Sequence, residues 1–591
     1  MCLWIKNLNS IIRGNNLFNI LFPLIIFICA LIPRIYSSLK TDMTWDEGLY
    51  TLSGLMGFRN ILNKDFSEKS WNFEFHPPLM MLITAAPLGI YVFITNLIKF
   101  NLKNILNKDF ITNEIMKNYK GTKGLVLIRS PSIIFGSITA VLLYFILFYI
   151  SNNYIIAVSA GLIFALSPFA IAWSSLAMLE SGLTFLYTSL IWNLILALDT
   201  NFMIYWIISG LLLGLIIGTK ETGFTAIPFS IILLLSHLLI NLESINILNL
   251  LFNGVVMYLT GVLIFFLSWP FLWKKPVTNL LKALKDTTSM KSEENPSTFH
   301  YINCILSSTP IIISLLVIVG LFVINPVFIG LSTNYLILLL WTVIPIIIMT
   351  MPFVPKRGAH QISFIMAPIA AISGFGYLFI SFSIYELLSL SLNFNVYNGF
   401  LLAVFILLFS LILFKSRPFY FNYSNYLSKL SIKNQNLIPF GFWGEGLSHA
   451  IEYIDTHAPK NSSVLIYAPK SSAIYHSNRL NFKKTNDTMS LFSERKKQGH
   501  DVSVDENLYQ WKTGDLVFHF PYYDKLLDIK KINPSYILIY KWITYDQSVT
   551  HIDDTNHNFV SEVQKNCKPI YIVNLHGKDL CWIYQYPLIE K

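Results

Sequence analysis

Residues 125–150 read LVLIRSPSIIFGSITAVLLYFILFYI, a run of 26 positions that contains one charged side chain, Arg129. As a helix this run would rise about 39 Å, more than the roughly 30 Å of hydrocarbon in a bilayer. Similar runs recur through the first 415 positions and predict a polytopic α-helical membrane protein of about eleven spans. The predicted spans are 17–36, 125–150, 154–173, 183–198, 203–219, 223–241, 251–272, 309–331, 334–351, 362–382 and 398–415.

The composition supports a membrane protein and indicates what it contacts. Of the 591 residues, 54% are hydrophobic and 13% are charged, about half the charged fraction of soluble domains, which excludes a soluble protein. The net charge is +10, and residues 438–591 contain 17 acidic and 17 basic side chains, so the whole excess lies before them. A basic membrane region favours lipid head groups or a phosphorylated ligand over nucleic acid. Five cysteines are too few for a disulfide framework.

The composition changes near residue 437. We divide the chain into a membrane domain over 1–415, a linker over 416–436 and a soluble α/β domain over 437–591, where short apolar runs alternate with polar stretches. The last two runs, 569–575 and 580–586, are close enough to form a hairpin. In that register Cys581 faces a residue near 574, so we expect no disulfide with Cys567.

One apolar run, PLMMLITAAPLGIYVFITNLI at 78–98, decides the topology. If it lies along the interface, the short connections fall on one side of the membrane, and the long polar segments and the C-terminal domain fall on the other. The six lysines of 99–123 would then lie outside, against the positive-inside rule. We nevertheless expect an interfacial helix, a cytoplasmic N-terminus and an extracytoplasmic C-terminal domain, because this arrangement gathers the ionisable motifs on one face.

The first polar segment contains Thr44-Trp45-Asp46-Glu47-Gly48. Carboxylates beside a membrane span are costly unless they bind a cation, a proton or a polar substrate. Either Asp46 or Glu47 can act as a general base if it lies within hydrogen-bond reach of an acceptor hydroxyl. The alternative is a solvated loop in which these acids cap a helix.

Other ionisable side chains lie at the ends of predicted spans. Singly, each is explained as an interfacial anchor or, for the histidine before two prolines, as a turn residue. Together they are expected on the same face as Asp46, where carboxylates and cations suit the attack of a hydroxyl with a lipid phosphate departing. These residues are His76, Arg129, Glu180, Lys220, Glu221, Arg357 and His360.

Several short motifs of the chain resemble those of a known family. The Asp-Glu pair after the first span, His76-Pro77-Pro78-Leu79, Arg129-Ser130-Pro131-Ser132, Ser167-Pro168 with Glu180, and Thr219-Lys220-Glu221-Thr222-Gly223 together resemble the GT-C glycosyltransferases. More narrowly, they are similar to the group of protein O-mannosyltransferases and aminoarabinose lipid A transferases. The resemblance covers about 15–370 and is strongest over 41–225. It departs at Glu180, where the family more often has Asp.

The resemblance implies a GT-C-like fold and transfer of a sugar from polyprenyl (dolichyl-type) phosphate to a hydroxyl of a glycan, lipid or protein outside the cytoplasm, with inversion. Asp46 would be the base, and Lys220, Arg357 and Arg129 would stabilise the leaving phosphate. Glu47 and Glu180 would orient the sugar or bind a divalent cation, Mg²⁺ or Mn²⁺. The resemblance favours a metal-independent enzyme.

Two alternatives stay open at this stage. An oligosaccharyltransferase would share the fold but transfer a whole glycan to Asn, and residues 440–446 lack the motif of the WWDYG kind that it needs. A lipid-linked glycan flippase or transporter would place its ionisable residues near the middle of the membrane, in internally repeated halves. Neither feature is visible in the sequence.

Overall fold

The computed structural model describes the backbone of residues 16–72, 76–98, 122–242, 246–289, 299–325, 333–351, 354, 359–388, 393–420, 423–425, 446–459, 462–467, 508–513, 516–521, 534–540, 554–575 and 578–587. The chain forms two compact units. The first comprises Met1–Leu39, Ser53–Ala85 and Arg129–Phe440. The second comprises Lys40–Leu52, Ala86–Ile128 and Gly441–Lys591.

Helices dominate the part of the chain before residue 417. They are α1 (Asn16–Lys40), α2 (Trp45–Leu62), α3 (Leu79–Ile98), α4 (Thr122–Ser151), α5 (Tyr154–Leu166), α6 (Pro168–Ser174), α7 (Leu179–Thr200), α8 (Met203–Ile217), α9 (Ala226–Ile240), α10 (Ile247–Ser268), α11 (Pro276–Ser289), α12 (His300–Ser308), α13 (Ile311–Val323), α14 (Thr333–Thr350), α15 (Met366–Leu387) and α16 (Phe394–Ser416). Short 3₁₀ helices occupy Glu68–Trp71, Glu221–Thr225, Pro270–Leu272 and Ala359–Ile365.

The predicted fold class is confirmed: the protein is a polytopic, mostly helical multi-pass membrane protein with a small C-terminal sheet region. Within the described ranges nine helices are long and apolar enough to cross a bilayer, and two bent pairs, α5 with α6 and α12 with α13, raise the number to eleven. Each of the eleven runs predicted as spans contains a helix. α3 also meets the length and composition criteria, so its interfacial placement stays a prediction.

Small residues allow the helices to pack closely. A Cβ added at Gly210 of α8 would lie 2.3 Å from the Met257 carbonyl oxygen of α10, and one at Gly214 would lie 2.5 Å from the Gly261 carbonyl oxygen. Because lipid tails are as apolar as leucine, helix association in a membrane depends on such close backbone contact. α8 and α10 therefore form a tightly packed parallel pair.

One expectation about the first polar segment is corrected. The segment is not a loop throughout, because α2 occupies Trp45–Leu62 and places Asp46 and Glu47 in its first turn. Negative charge in the first turn is favourable, since the unpaired N–H groups there carry a partial positive charge. The acids therefore lie on a helix start, as the capping alternative predicts.

The C-terminal region contains a mixed six-stranded sheet. Its strands are β1 (Ser463–Tyr467), β2 (Leu508–Thr513), β3 (Leu516–Pro521), β4 (Tyr536–Tyr540), β5 (Tyr571–Leu575) and β6 (Lys578–Gln585), in the order β2-β3-β1-β4-β6-β5. β1 is parallel to β3 and β4, and the remaining pairs are antiparallel. Two further helices are α17 (Leu447–His457) and α18 (Asp554–Asn566). The predicted hairpin is confirmed, because Cys581 pairs with Val573. Cys567 and Cys581 are not joined by a disulfide.

Candidate active site

A buried ion pair joins two of the predicted site residues. Lys220 Nζ donates to Glu180 Oε1 at 2.5 Å, and the two side chains are 3% and 1% exposed. The residues are 40 positions apart in the chain, so the packing of the helices brings them together. A charge this deeply buried is stable only when it is paired and hydrogen-bonded.

The ends of two helices explain where this pair lies. Glu180 is in the first turn of α7, where the helix dipole favours a negative charge. Lys220 follows the C-terminus of α8 and precedes the 3₁₀ helix Glu221–Thr225, so its positive charge lies near the negative end of α8. The second oxygen of the carboxylate, Glu180 Oε2, is buried and has no hydrogen-bond partner among the described residues. It is therefore an acceptor available to a ligand.

A second ion pair adjoins the first. His76 Nδ1 lies 3.0 Å from Glu221 Oε2, and the two side chains are 13% and 18% exposed. Because Glu221 directly follows Lys220, the two pairs form one cluster, which we call the ionic cluster: His76, Glu180, Lys220 and Glu221. Four of the nine residues predicted from the sequence meet in it.

Close packing between α3 and α7 brings His76 towards this end of α7. Met80, in the first turn of α3, is fully buried, and a Cβ added at Gly182 of α7 would lie 2.2 Å from its sulfur. A side chain at position 182 would therefore require the Met80 side chain to move. His76 precedes α3 by three residues, so the same contact fixes the approach of the His-Pro-Pro segment.

Arg129 lies inside the helix bundle, and its role at the phosphate stays a prediction. Its side chain is fully buried in α4, and Nη1 donates to the Ser38 carbonyl oxygen at 2.7 Å. Ser38 lies in the last turn of α1, where carbonyl groups lack partners within the helix. The observed contact of Arg129 therefore stabilises the C-terminal end of α1.

The start of α2 lies in the second unit and contains the two predicted carboxylates. Thr44 donates to Glu47 Oε2 from its backbone N–H at 2.9 Å and from its hydroxyl at 3.2 Å. This is the glutamate half of a capping box, and Glu47 is fully buried. Asp46, by contrast, is half-buried. Glu47 therefore holds the helix start, and Asp46 is the more accessible carboxylate.

Two predicted site residues remain, His360 and Arg357. His360 lies in the 3₁₀ helix Ala359–Ile365, and its ring centroid is 5.5 Å from that of Trp173. Arg357 lies outside the described residues. Among the described residues, no group of three or more His, Cys, Asp or Glu side chains is arranged to hold a metal ion.

Sequence reasoning missed one buried cation. Arg34 of α1 is fully buried, and its Nε donates to Ser174 Oγ at 2.6 Å while Nη1 donates to the Ala30 and Ala165 carbonyl oxygens at 2.7 and 3.0 Å. These bonds tie α1 to the ends of α5 and α6. The signal was a single charge near the end of an apolar run, which is costly unless it is paired inside the bundle.

The comparisons with known proteins agree with the motifs. Residues 120–273 match the model of the family described as dolichyl-phosphate-mannose-protein mannosyltransferase. The match covers about a quarter of the chain and includes three of the four members of the ionic cluster. No curated protein sequence matches the chain.

Several solved structures are similar at low sequence identity. ArnT from Cupriavidus metallidurans, in the apo state and bound to undecaprenyl phosphate, is 10% identical, with TM-scores of 0.49 and 0.48 over 95% and 96% of this chain and 97% and 98% of that chain. The Archaeoglobus fulgidus oligosaccharyltransferase in its apo form is 13% identical, with a TM-score of 0.46 over 90% of this chain and 71% of that chain. The S. cerevisiae Pmt1-Pmt2 complex bound to the sugar donor is 13% identical, with a TM-score of 0.33 over 48% of this chain and 36% of that chain.

The family match lies on the segment that contains Arg129, Glu180 and Lys220-Glu221, in the order that the motifs require. The fold around this segment is a bundle of membrane helices with an ionic cluster at one end. Over this segment the chain is therefore similar to the dolichyl-phosphate-mannose-protein mannosyltransferase family.

Proposed function

We propose that the protein transfers a sugar from a polyprenyl (dolichyl-type) phosphate to a hydroxyl group of a glycan, lipid or protein on the extracytoplasmic face, with inversion at the anomeric carbon. The observation that carries this proposal is the coincidence of the mannosyltransferase family match with the ionic cluster. The family description names a lipid-phosphate sugar donor, and the net positive charge of the membrane region suits a lipid phosphate.

The proposed reaction is a single displacement. The acceptor oxygen attacks the anomeric carbon and forms the new glycosidic bond, while the bond from that carbon to the phosphate oxygen breaks. The electron pair leaves with polyprenyl phosphate, and the acceptor proton passes to the Asp46 carboxylate. We assign the base to Asp46 because Glu47 is buried and bonded to Thr44, whereas a general base must reach the acceptor hydroxyl.

Charge on the leaving phosphate increases in the transition state, and we assign Lys220 to stabilise it. A lysine paired with a buried carboxylate is fixed in position, which is the condition for electrostatic stabilisation without reorganisation. Glu180 supplies that carboxylate, and its Oε2, which has no partner among the described residues, is assigned to a sugar hydroxyl. We also propose that the reaction is metal-independent, which is supported by the lack of a metal-binding group of His, Cys, Asp or Glu among the described residues.

The orientation is supported by a hydrogen bond within the second unit. Gly446 N donates to Asp42 Oδ2 at 2.7 Å, which supports placing the segment before α2 and the segment after α16 on the same side of the membrane. This arrangement needs an even number of crossings between residues 42 and 446. In the described part of the chain, eleven segments between them are candidates: α3, α4, α5 with α6, α7, α8, α9, α10, α12 with α13, α14, α15 and α16. If α3 lies along the interface, ten crossings remain and the parity is satisfied.

Purified protein in lipid vesicles should release polyprenyl phosphate from polyprenyl-phosphate sugar in the presence of a hydroxyl-bearing acceptor, and EDTA should leave the rate unchanged. Asp46→Asn is the matched inactive control. Turnover of a nucleotide sugar without lipid would contradict the proposal. Movement of the lipid-linked sugar across the bilayer without transfer would instead support a flippase, and transfer only to the side-chain amide of Asn would support an oligosaccharyltransferase.

A further inference from the structure

The C-terminal domain contacts the segment that leads into α2 through one carboxylate. Asp42 Oδ2 accepts a hydrogen bond from Gly446 N at 2.7 Å and makes a longer contact with Ser448 N at 3.5 Å. These residues are more than 400 positions apart, and both lie in the second unit. Gly446 is the N-cap of α17, so the Asp42 carboxylate occupies the place of a capping side chain that the helix does not supply itself.

Electrostatics and packing make this contact strong. The N–H groups at a helix start have no partners within the helix and carry a partial positive charge, and a carboxylate bonded to them forms a charge-assisted hydrogen bond. α17 is itself firmly held, because the side chains on its inner face are fully buried: Leu447, Ala450, Ile451 and Ile454. Asp42 is therefore attached to an element that is fixed in the C-terminal domain.

The segment between Asp42 and Asp46 is buried and hydrogen-bonded near both ends. Thr41, Asp42, Met43 and Thr44 are all buried, with exposed fractions of 4%, 8%, 1% and 2%. Asp42 bonds to α17, and Thr44 bonds to Glu47 in the first turn of α2. Asp46 lies in that same turn, so its backbone position is set by contacts on both sides.

We infer that Asp42 is a positioning residue, through which the start of α17 holds the turn that carries Asp46. This inference rests on the proposed function for the role of Asp46. It assigns the C-terminal domain a role in positioning the catalytic base. Catalysis is sensitive to such positioning, because a displacement of about 1 Å at a reacting group can lower the rate by about 10²-fold. Removing the carboxylate should therefore lower kcat more than it changes the KM for the donor.

The test compares Asp42→Ala and Asp42→Asn with Glu452→Ala in the full-length protein. Glu452 is an exposed acid on α17, the helix whose start Asp42 caps. Its removal therefore controls for the loss of a negative charge near that helix. Asp42→Ala should lower kcat by about 10- to 10²-fold, with the donor KM changed by less than about twofold. Asp42→Asn retains an oxygen acceptor and should recover most of the rate, since a neutral hydrogen bond keeps about half the strength of a charged one. Glu452→Ala should match the wild type.

Hydrogen exchange of the backbone amides of residues 43–50 supplies a readout that does not depend on activity. Exchange there should be faster in Asp42→Ala and unchanged in Glu452→Ala. Unchanged exchange in Asp42→Ala, or faster exchange with unchanged kcat, would overturn the inference. If the wild type does not turn over polyprenyl-phosphate sugar, the proposed function fails, and exchange still decides whether Asp42 holds the turn. If Asp42→Ala does not fold, Gly446→Ala replaces it, because a φ of 78° strains any residue with a side chain and should displace the N–H from which Asp42 accepts.

Discussion

Lys220 and Glu180 face each other across the ends of two helices, with 2.5 Å between Nζ and Oε1 and side chains 3% and 1% exposed. In a pair this deeply buried, the attraction between the charges is largely offset by the loss of their hydration, so the pair as a whole adds little to stability. Removing one partner is different, because the other charge is left buried and uncompensated. The effect of losing one partner on stability can therefore be separated from its effect on turnover.

The first prediction compares single and double variants of this pair in stability and in turnover. Lys220→Met and Glu180→Gln should each destabilise the protein. Glu180→Gln, for example, leaves Lys220 without its counter-charge. A buried charge without a partner lowers the free energy of unfolding by about 3–5 kcal/mol. The double variant should recover most of the stability and none of the turnover, because it still lacks the cation assigned to the phosphate. Thermal unfolding in detergent and turnover of polyprenyl-phosphate sugar measure the two effects.

Lys274→Met is the control for loss of a lysine, since Lys274 is exposed and should be neutral in both measurements. If the double variant were as unstable as either single variant, the pair would not be the compensated unit described here. If it turned over donor normally, Lys220 would have no role in the transfer.

The second prediction concerns the other half of the ionic cluster. His76 and Glu221 are 3.0 Å apart but 145 residues apart in the chain, so His76→Ala and Glu221→Gln should remove the same interaction. In a double-mutant cycle on turnover, the double variant should be no worse than the more damaging single variant, with a coupling energy of about 0.5–3 kcal/mol. Glu221→Gln combined with Lys69→Ala, at an exposed site, should be additive. Additive losses in the His76 and Glu221 pair would show that the two residues act independently.

The third prediction distinguishes the two adjacent carboxylates at the start of α2. Asp46→Asn should lower turnover by about 10²- to 10⁴-fold, the usual contribution of a general base, while donor binding survives. Glu47→Gln keeps an oxygen that can accept from Thr44 and should retain much of the activity. Donor binding by a labelled polyprenyl phosphate and single-turnover rates separate the two steps. Near-normal turnover of Asp46→Asn with an inactive Glu47→Gln would reverse the assignment.

The sequence predicted the helices better than it predicted their contacts. Runs of apolar residues locate spans because the bilayer demands length and hydrophobicity, and every predicted run contains a helix. α2 was missed because its polar first turn and mixed composition do not resemble a span. The signal for it was present in Thr44-Trp45-Asp46-Glu47, whose spacing is that of a capping box.

The sequence did not predict which site residues form pairs, for a physical reason. Glu180 with Lys220, and His76 with Glu221, are joined by helix packing that depends on details such as the space that Gly182 leaves for Met80. The sequence indicated that these side chains share one face, but it did not indicate which would neutralise which. For Arg129 the structure shows a hydrogen bond to the end of α1, and its role at the phosphate stays a prediction.

The last prediction is that α3 does not cross the membrane. The hydrogen bond between Asp42 and Gly446 supports an even number of crossings between them. We propose that α3 is the segment that lies along the interface, because this placement would bring the ionisable motifs to the outer face. In a variant without native cysteines, single cysteines at positions 110, 290 and 500 should all react with an impermeant thiol reagent added outside, whereas one at Asn152, in the short connection after α4, should react only after permeabilisation. In the alternative even count, α3 crosses the membrane and one segment after α4 does not. This count would place position 110 inside and Asn152 outside. Labelling of 110 only after permeabilisation, with 500 still accessible, would therefore exclude the interfacial α3.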